Sequence, residues 1–193
     1  MIREIVHYDA PVLRAKGREV GPLTPTIKKL AGDLLDTMRH ARGVGLAAQQ
    51  IGEAWQVAVI DVTGIKERPS KMWISGKPVD PEAFMPLVLI NPVLKPIKTK
   101  IVSHEGCLSF PGLTLDIPRA QRVAVRMRTL DDGLFEFDAG GLLGRAVLHE
   151  VDHLHGRLFI DHLSAEERRA IREDLEYLKR GEPIPERSSK NAS

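Results

Sequence analysis

Apolar side chains between Ile27 and Met38 recur every three or four residues, the spacing that places them on one face of a helix. Thr24 and Pro25 stand just before this segment, and a threonine N-cap followed by proline in the first turn favours a helix start. Gly43 lies where such a helix would end. We therefore predict an amphipathic helix near the amino terminus, with its apolar face on the core.

The middle of the chain changes to alternating and short continuous apolar runs, which are typical of β-strands. Strands are predicted at residues 56–63, 87–91, 97–103, 121–129 and 134–138. Between the first two of these, residues 64–86 carry glycine or proline at positions 64, 69, 76, 78, 81 and 86. This density of chain breakers predicts a long surface loop or insertion.

Helical spacing returns at residues 140–156. Within them Leu142, Ala146, His149 and His153 fall on one face, so both histidines are predicted to face the core.

The carboxyl-terminal part predicts one more helix. Ser164 and Glu167 have the spacing of a capping box, and the helix that they start is predicted to end near Gly181. Residues 181–193 are predicted to form a flexible tail. Strands followed by segregated helices predict one α+β domain over residues 1–180.

Composition sets a few further limits. The 193 residues include 28 basic and 26 acidic side chains, and the formal charge of +2 is too small to indicate a nucleic-acid or membrane surface. No apolar run approaches the roughly 20 residues of a membrane-spanning helix. The charged residues within positions 1–10 do not fit a signal peptide, so a cytoplasmic location is expected. Cys107 is the only cysteine, which excludes an intrachain disulfide.

His149, Glu150 and His153 match the pattern H-E-x-x-H. One helical turn separates the two histidines, so both imidazoles can reach one metal ion while the glutamate lies beside it. Two histidines with ordinary core partners would give the same pattern, so the motif is suggestive rather than decisive. A catalytic site of this kind needs a third protein ligand and an open position for water.

Cys107 is the predicted third ligand. It lies within residues 103–112, whose glycines and proline favour a tightly shaped turn at a strand end. A thiolate is stabilised beside a divalent cation, whereas a buried neutral thiol gains nothing there. Glu105, two residues earlier, and His104 remain alternative ligands, because the sequence does not exclude a carboxylate on the same face as the cysteine.

Other charged residues are predicted to support the site. A buried Glu105 needs a cation, and Arg119 is its candidate partner. Asp152 is a candidate for orienting a ligand histidine. The remaining histidines have no ligand spacing and are predicted to be surface or packing residues. They are His7, His40, His155 and His162.

The chain resembles the peptide deformylase family in three ordered segments. These are Gly-Val-Gly-Leu-Ala-Ala-Gln-Gln at 43–50, Glu-Gly-Cys-Leu-Ser at 105–109 and His-Glu-Val-Asp-His-Leu at 149–154. The resemblance extends from residues 9–14 to about Arg180. Gln49 stands where the family more often has proline, and Leu148 where it more often has glutamine. Residues 69–86 look longer than in many members, so this loop could trim access to the cleft.

The resemblance implies a hydrolase that removes the formyl group from the N-formylmethionine of nascent chains. The implied cofactor is one divalent ion, usually ferrous iron, although zinc, nickel or cobalt also suit thiolate and imidazole ligands. Glu150 is then the proton shuttle. By the family's pattern, the Gln50 amide and the Leu108 backbone N–H stabilise the charge that develops on the formyl oxygen.

The resemblance also implies a substrate site. Gly45 has no side chain, so a peptide backbone can approach it closely. The methionine side chain needs an apolar slot, for which Val44, Leu142 and Ala146 are candidates, although ordinary core packing would use them equally well. N-Formylmethionyl peptides are the expected partners. The basic residues of the final helix suit a ribosome contact, although an ordinary solvated amphipathic helix would carry them equally well.

Two other functions remain open at this point. H-E-x-x-H also occurs in metallopeptidases that act on unblocked peptides, and a metal could instead fasten the helix to the sheet without catalysis. The predicted fold is the same in each case. It is an α+β fold with mixed or antiparallel sheets packed around a central metal-binding helix, with further helices near the amino and carboxyl ends.

Overall fold

The computed structural model describes residues 1–97 and 99–185, and this part of the chain contains four α-helices and nine β-strands. The helices are α1 Pro25–His40, α2 Gly141–Leu154, α3 Ala165–Ala170 and α4 Arg172–Lys179. The strands are β1 Gly45–Ala47, β2 Val57–Ile60, β3 Ser70–Ile74, β4 Lys77–Val79, β5 Leu87–Pro96, β6 Lys100–Gly106, β7 Thr114–Ala120, β8 Arg122–Arg128 and β9 Leu134–Gly140. Among these helices, none combines the length and apolar character needed to cross a membrane.

Seven of the strands form one sheet in the order β1-β2-β5-β8-β9-β3-β4. β6 pairs with β7 as a separate two-stranded hairpin. Every strand ladder in the described residues is antiparallel. Of the two predicted arrangements, mixed or antiparallel sheets, the structure therefore has antiparallel sheets.

Helices cover both faces of the large sheet near β2. Val57 and Val59 pack in one apolar cluster with the buried face of α1, whereas Ala58 and Ile60 pack in another with α2. Burial on both faces explains why β2 is a continuous apolar run rather than an alternating one. α2 is therefore the central helix of an α+β fold, as predicted.

Residues 64–86 do not form the predicted loop. β3 and β4 make a hairpin, and β3 pairs with β9, so the segment extends the large sheet. Pro78 lies in β4, the last strand of the sheet, where a missing N–H can face away from the ladder. Gly64 and Gly76 adopt a positive φ of 76° each and form turns. The chain breakers thus mark turns and an edge strand.

Several predicted boundaries also shift. α1 ends at His40, and the left-handed residue after it is Arg42, with φ of 56°, rather than Gly43. The strand predicted to stop at Asn91 continues to Pro96 through an irregular register. The final helix is interrupted at Ile171 and becomes α3 and α4. β1 and β7 were not predicted, because β1 has only three residues and β7 contains a proline.

A third apolar cluster joins the amino-terminal segment to the turn after β6 and to α4. It includes Leu13, Phe110, Phe159 and Leu175. Ile184 packs against this cluster. The greater part of the flexible tail predicted for residues 181–193, from 186 onward, lies outside the described residues.

Candidate metal centre

The three predicted ligands converge. The donor atoms of Cys107, His149 and His153 all lie within 4.8 Å of one another. Cys107 Sγ is 3.3 Å from His153 Nε2, and the centroids of the two histidine rings are 5.1 Å apart. α2 supplies both imidazoles, because residues four apart fall on one helix face. The turn that follows β6 supplies the sulfur.

Glu105 is not a third ligand, because its carboxylate is bound by two arginines. Arg119 donates from Nε to Oε1 at 2.9 Å and from Nη2 to Oε2 at 3.0 Å, and Arg145 Nη1 donates to Oε1 at 2.6 Å. Oε2 also lies 3.0 Å from His149 Nδ1. This contact leaves Nε2 of His149 for a metal and fixes the plane of its ring. The predicted pairing of Glu105 with Arg119 is therefore present.

The charge on Glu105 is secured by these partners. Burial alone would raise the pKa of this carboxyl, but the hydrogen bonds from His149 and Arg119 hold the pKa far below its ordinary value. His104, the other alternative ligand, is exposed and lies 2.8 Å from Asp116. Neither alternative competes with Cys107 in this geometry.

Asp152 does not contact a ligand histidine directly, as was predicted, but acts through Arg119. Among the described residues, its carboxylate contacts Arg119, His162 Nε2 at 2.7 Å and Arg157 Nη2 at 2.9 Å. It contacts neither His149 nor His153. Burial would raise the pKa of Asp152, but bonds from His162 and Arg119 lower it. Asp152 therefore positions Arg119, Arg119 positions Glu105, and Glu105 positions the predicted ligand His149.

Two members of this network were missed in the sequence. Arg145 was not singled out, although it stands four residues before His149 and so shares its helix face. A charge on an apolar helix face was the available signal, because it requires a buried carboxylate. His162 was predicted to be a surface or packing residue, and no spacing in the sequence reveals its contact with Asp152.

Glu150 is buried beside the ligands. Burial raises the pKa of its carboxyl to about 7. Its Oε2 atom has no hydrogen-bond partner among the described residues. A Cβ atom added to Gly45 would lie 2.4 Å from Glu150 Oε1, so the bare face of this glycine is filled by the carboxylate. Gly45 thus makes room for the Glu150 carboxylate as well as lining the cleft.

The amide of Gln50 is held in a defined orientation. Its Oε1 accepts a hydrogen bond from the backbone N–H of Ala47 at 2.9 Å, so the amide nitrogen must point the other way. Nε2 donates to Ser109 Oγ at 3.3 Å and lies 3.5 Å from Cys107 Sγ. The N–H groups of the amino-terminal segment bind the carbonyls of Gln50 and Ser109, which fixes both loops.

A cleft of about 410 Å³ opens over these groups. The residues predicted to bind substrate or the formyl oxygen all line it. They are Val44, Gly45, Gln50, Leu108, Leu142 and Ala146. A depression of similar volume, about 390 Å³, lies around Trp73 and contains none of the site residues.

The donor set fits a metal ion. Burial lowers the pKa of His153, so its ring stays neutral as a metal ligand must. Burial would also lower the pKa of His149, but the neighbouring Cys107 and Glu105 raise it well above its ordinary value. The negative charges of Cys107 and Glu105 therefore favour a cation next to His149. One sulfur and two imidazoles with room beside them match a site that keeps an open coordination position.

Comparisons with known proteins agree with this geometry. The family model described as polypeptide deformylase matches residues 2–169. A peptide deformylase of Methylacidiphilum infernorum is 52% identical over 184 residues, which cover 95% of this chain and 96% of that protein.

Solved structures agree as well. A peptide deformylase from Legionella pneumophila is 34% identical with a TM-score of 0.78, covering 93% of this chain and 96% of its own. One from Thermotoga maritima is 31% identical with a TM-score of 0.72, covering 85% of this chain and 99% of its own. The chain therefore belongs to the peptide deformylase family of metal-dependent hydrolases, which remove the N-formyl group from nascent polypeptides.

Proposed function

We propose that Cys107, His149 and His153 hold one divalent ion, and that the chain uses this site to release formate from N-formylmethionyl peptides. The observation that carries the proposal is the convergence of one sulfur and two imidazoles beneath a cleft, beside a buried carboxylate. When bound, such an ion supplies Lewis acidity, which polarises a carbonyl and activates water at neutral pH.

Glu150 is the proposed proton shuttle. It accepts the proton of the attacking water and returns it to the amine that departs from the formyl carbon. A pKa of about 7, caused by burial, suits a group that must take up and release a proton near neutral pH. Its Oε2 atom has no hydrogen-bond partner in the part of the chain that the structure describes, so it can receive that proton.

Gln50 and Leu108 are the proposed donors to the formyl oxygen. Negative charge develops on this oxygen as the carbonyl carbon is attacked, and donors that are already oriented stabilise it without a cost of reorganisation. The contact of Gln50 Oε1 with the Ala47 N–H provides that orientation. Removing one such donor costs roughly 3 kcal/mol in comparable sites, which is about a hundredfold in rate.

Val44, Leu142 and Ala146 are the proposed walls of the methionine slot. Leu142 and Ala146 are buried on the inner face of α2, two turns and one turn before His149, respectively. Their apolar surface suits the long, unbranched side chain of methionine.

Residues 1–180 form the proposed catalytic domain.

The decisive experiment is a formate-release assay on formyl-Met-Ala, with metal analysis of the same anaerobically purified sample. We expect rapid release with about one ferrous ion per chain. Zinc, nickel or cobalt would also satisfy the donor set. Internal cleavage of unblocked peptides, with no action on formyl-Met-Ala, would overturn the proposal in favour of a peptidase.

Glu150→Gln tests the shuttle separately. The variant keeps the shape of the side chain, so metal content and thermal unfolding should stay at wild-type values. Turnover should fall by at least a hundredfold, because the amide cannot accept the proton. Wild-type turnover in a metal-loaded Glu150→Gln protein would remove Glu150 from the mechanism.

We also propose that the enzyme acts in the cytoplasm, where ribosomes expose formylated chains, and that α3 and α4 contact the ribosome. Basic side chains in the last turns of both helices are the observation that supports this contact. Arg168 is paired with Asp161, and Arg180 with Glu182. Co-sedimentation with ribosomes that weakens as salt increases would support the contact, and salt-insensitive or absent binding would remove it.

A further inference from the structure

Arg68 places an exposed positive charge at the mouth of the cleft. Its Nη2 atom donates to the carbonyl oxygen of His104 at 3.1 Å, so the side chain lies over the end of β6. The other acidic and basic residues among the described lining residues are buried. They are Glu105, Arg145, His149 and Glu150.

The main chain beside Arg68 is fixed against the start of α2. The Pro69 carbonyl accepts a hydrogen bond from the Leu142 N–H at 3.2 Å, and Ser70 Oγ accepts one from the Leu143 N–H at 3.2 Å. Gly141 permits this approach, since a Cβ there would lie 2.0 Å from the Pro69 oxygen. The guanidinium is therefore positioned relative to the slot lined by Leu142.

The Arg68 guanidinium also has N–H groups that can donate to a ligand. Within the described residues no carboxylate oxygen lies within ion-pair distance of its guanidinium, in contrast to Arg119 and Arg145, which are bound to Glu105. A guanidinium has five N–H donors, and the His104 carbonyl uses one side of it. Such a group matches a carboxylate in shape and charge.

Building on the proposed function, we propose that Arg68 binds a carboxylate side chain on the third residue of the substrate, counted from formylmethionine. β1 ends the large sheet, so an extended peptide can lie along its free edge. Side chains one and three of an extended peptide point to the same side. With the first in the slot beside Leu142, the third points to the side on which Arg68 is anchored. The enzyme thus favours nascent chains with Asp or Glu at position three.

The test compares kcat/KM for formyl-Met-Ala-Glu-Ala-amide with that for the peptide carrying Gln in place of Glu. The amide ends remove the terminal carboxylate, so the side chain is the only difference in charge. The wild type should favour Glu by roughly twofold to fivefold, the range of an exposed ion pair, through a lower KM. The ratio should approach one in Arg68→Gln, and high salt should reduce it in the wild type.

Lys71→Gln is the matched control. Lys71 is exposed in β3, three residues from Arg68, and does not line the cleft, so its removal changes net charge by the same amount. This variant should keep the wild-type ratio. Moving Glu to position two of the peptide should abolish the preference, because that side chain points away.

Three results would overturn the inference: equal rates for Glu and Gln in the wild type, an unchanged ratio in Arg68→Gln, or a stronger preference at position two. Each is distinct from failure of the proposed function, in which the Gln peptide itself would release no formate.

Discussion

Replacing Arg119 by methionine tests the buried charges behind the metal site. Arg119 is only 4% exposed and contacts two buried carboxylates, Glu105 and Asp152. Burial alone would lower the pKa of the guanidinium, but Glu105 and Asp152 raise it, so the group stays charged. Methionine fills a similar volume but supplies no positive charge. Removing one partner from a buried ion pair typically costs about 3–5 kcal/mol, because the other charge stays buried.

The contacts that remain place the expected loss near the lower limit of that range, about 3 kcal/mol. Glu105 keeps its contact with Arg145 at 2.6 Å, and Asp152 keeps Arg157 at 2.9 Å. Neither carboxylate is therefore left without a cation. A loss of this size lowers the Tm of a domain of this length by roughly 6–12 °C. Metal affinity should also fall by about tenfold to a hundredfold, because Glu105 no longer holds His149 as firmly.

Thermal unfolding of the metal-free proteins measures the first effect, and competition with a chelator measures the second. Arg126→Met is the matched control, since Arg126 pairs with Glu136 at 3.3 Å on the exposed face of the sheet. Its loss should stay below about 1 kcal/mol and leave metal affinity unchanged. If the two variants lose equal stability, the buried network does not stabilise the fold as argued.

Two further predictions follow from single contacts. Gly45→Ala should lower kcat by at least a hundredfold, because the added methyl group collides with the Glu150 carboxylate. The control is Gly21→Ala, which should keep the wild-type kcat because no atom lies within 4 Å of the added Cβ. A wild-type kcat in Gly45→Ala would contradict the prediction. Asp33→Asn should remove a pH-dependent part of stability. The Lys29 ammonium, 2.6 Å away, lowers the pKa of Asp33, so this stability is present above the ordinary value of 3.8 and is lost as pH falls through the lowered pKa. Urea unfolding at several pH values should show the difference between wild type and Asp33→Asn shrinking in acid, and a constant difference would count against it.

The parts of the site that the sequence predicted are those set by local geometry or by unusual chemistry. The separation of His149 and His153 fixes both rings on one face of any helix that contains them. Cys107 is distant in sequence, and a lone buried cysteine is usually a packing residue, so only its combination with the H-E-x-x-H motif predicted it as a ligand. Glu105 and Arg119 could be paired in advance because each would be costly to bury alone.

The parts that the sequence did not predict depend on tertiary contacts. Residues 64–86 contain the breakers of a loop, yet their pairing with β9 makes them a hairpin, and only the neighbouring strand decides this. Arginine usually lies on the protein surface, so the residue type of Arg145 does not predict its burial. Its place on an apolar helix face signals burial, but its partners are a carboxylate and backbone carbonyl oxygens from another part of the chain, and no local pattern identifies them.

Those carbonyl oxygens show how the site and the fold depend on each other. Within residues 1–97 and 99–185, the β6–β7 hairpin has no strand pairing with the large sheet. Arg145 on α2 reaches the carbonyls of Ile101, Ser103 and Ile117 in this hairpin, as well as the Glu105 carboxylate. Glu105 lies in β6 and positions His149 on α2. Glu105 therefore both docks the hairpin on the helix and orients the predicted ligand His149, so we expect that loosening the hairpin also loosens the metal site.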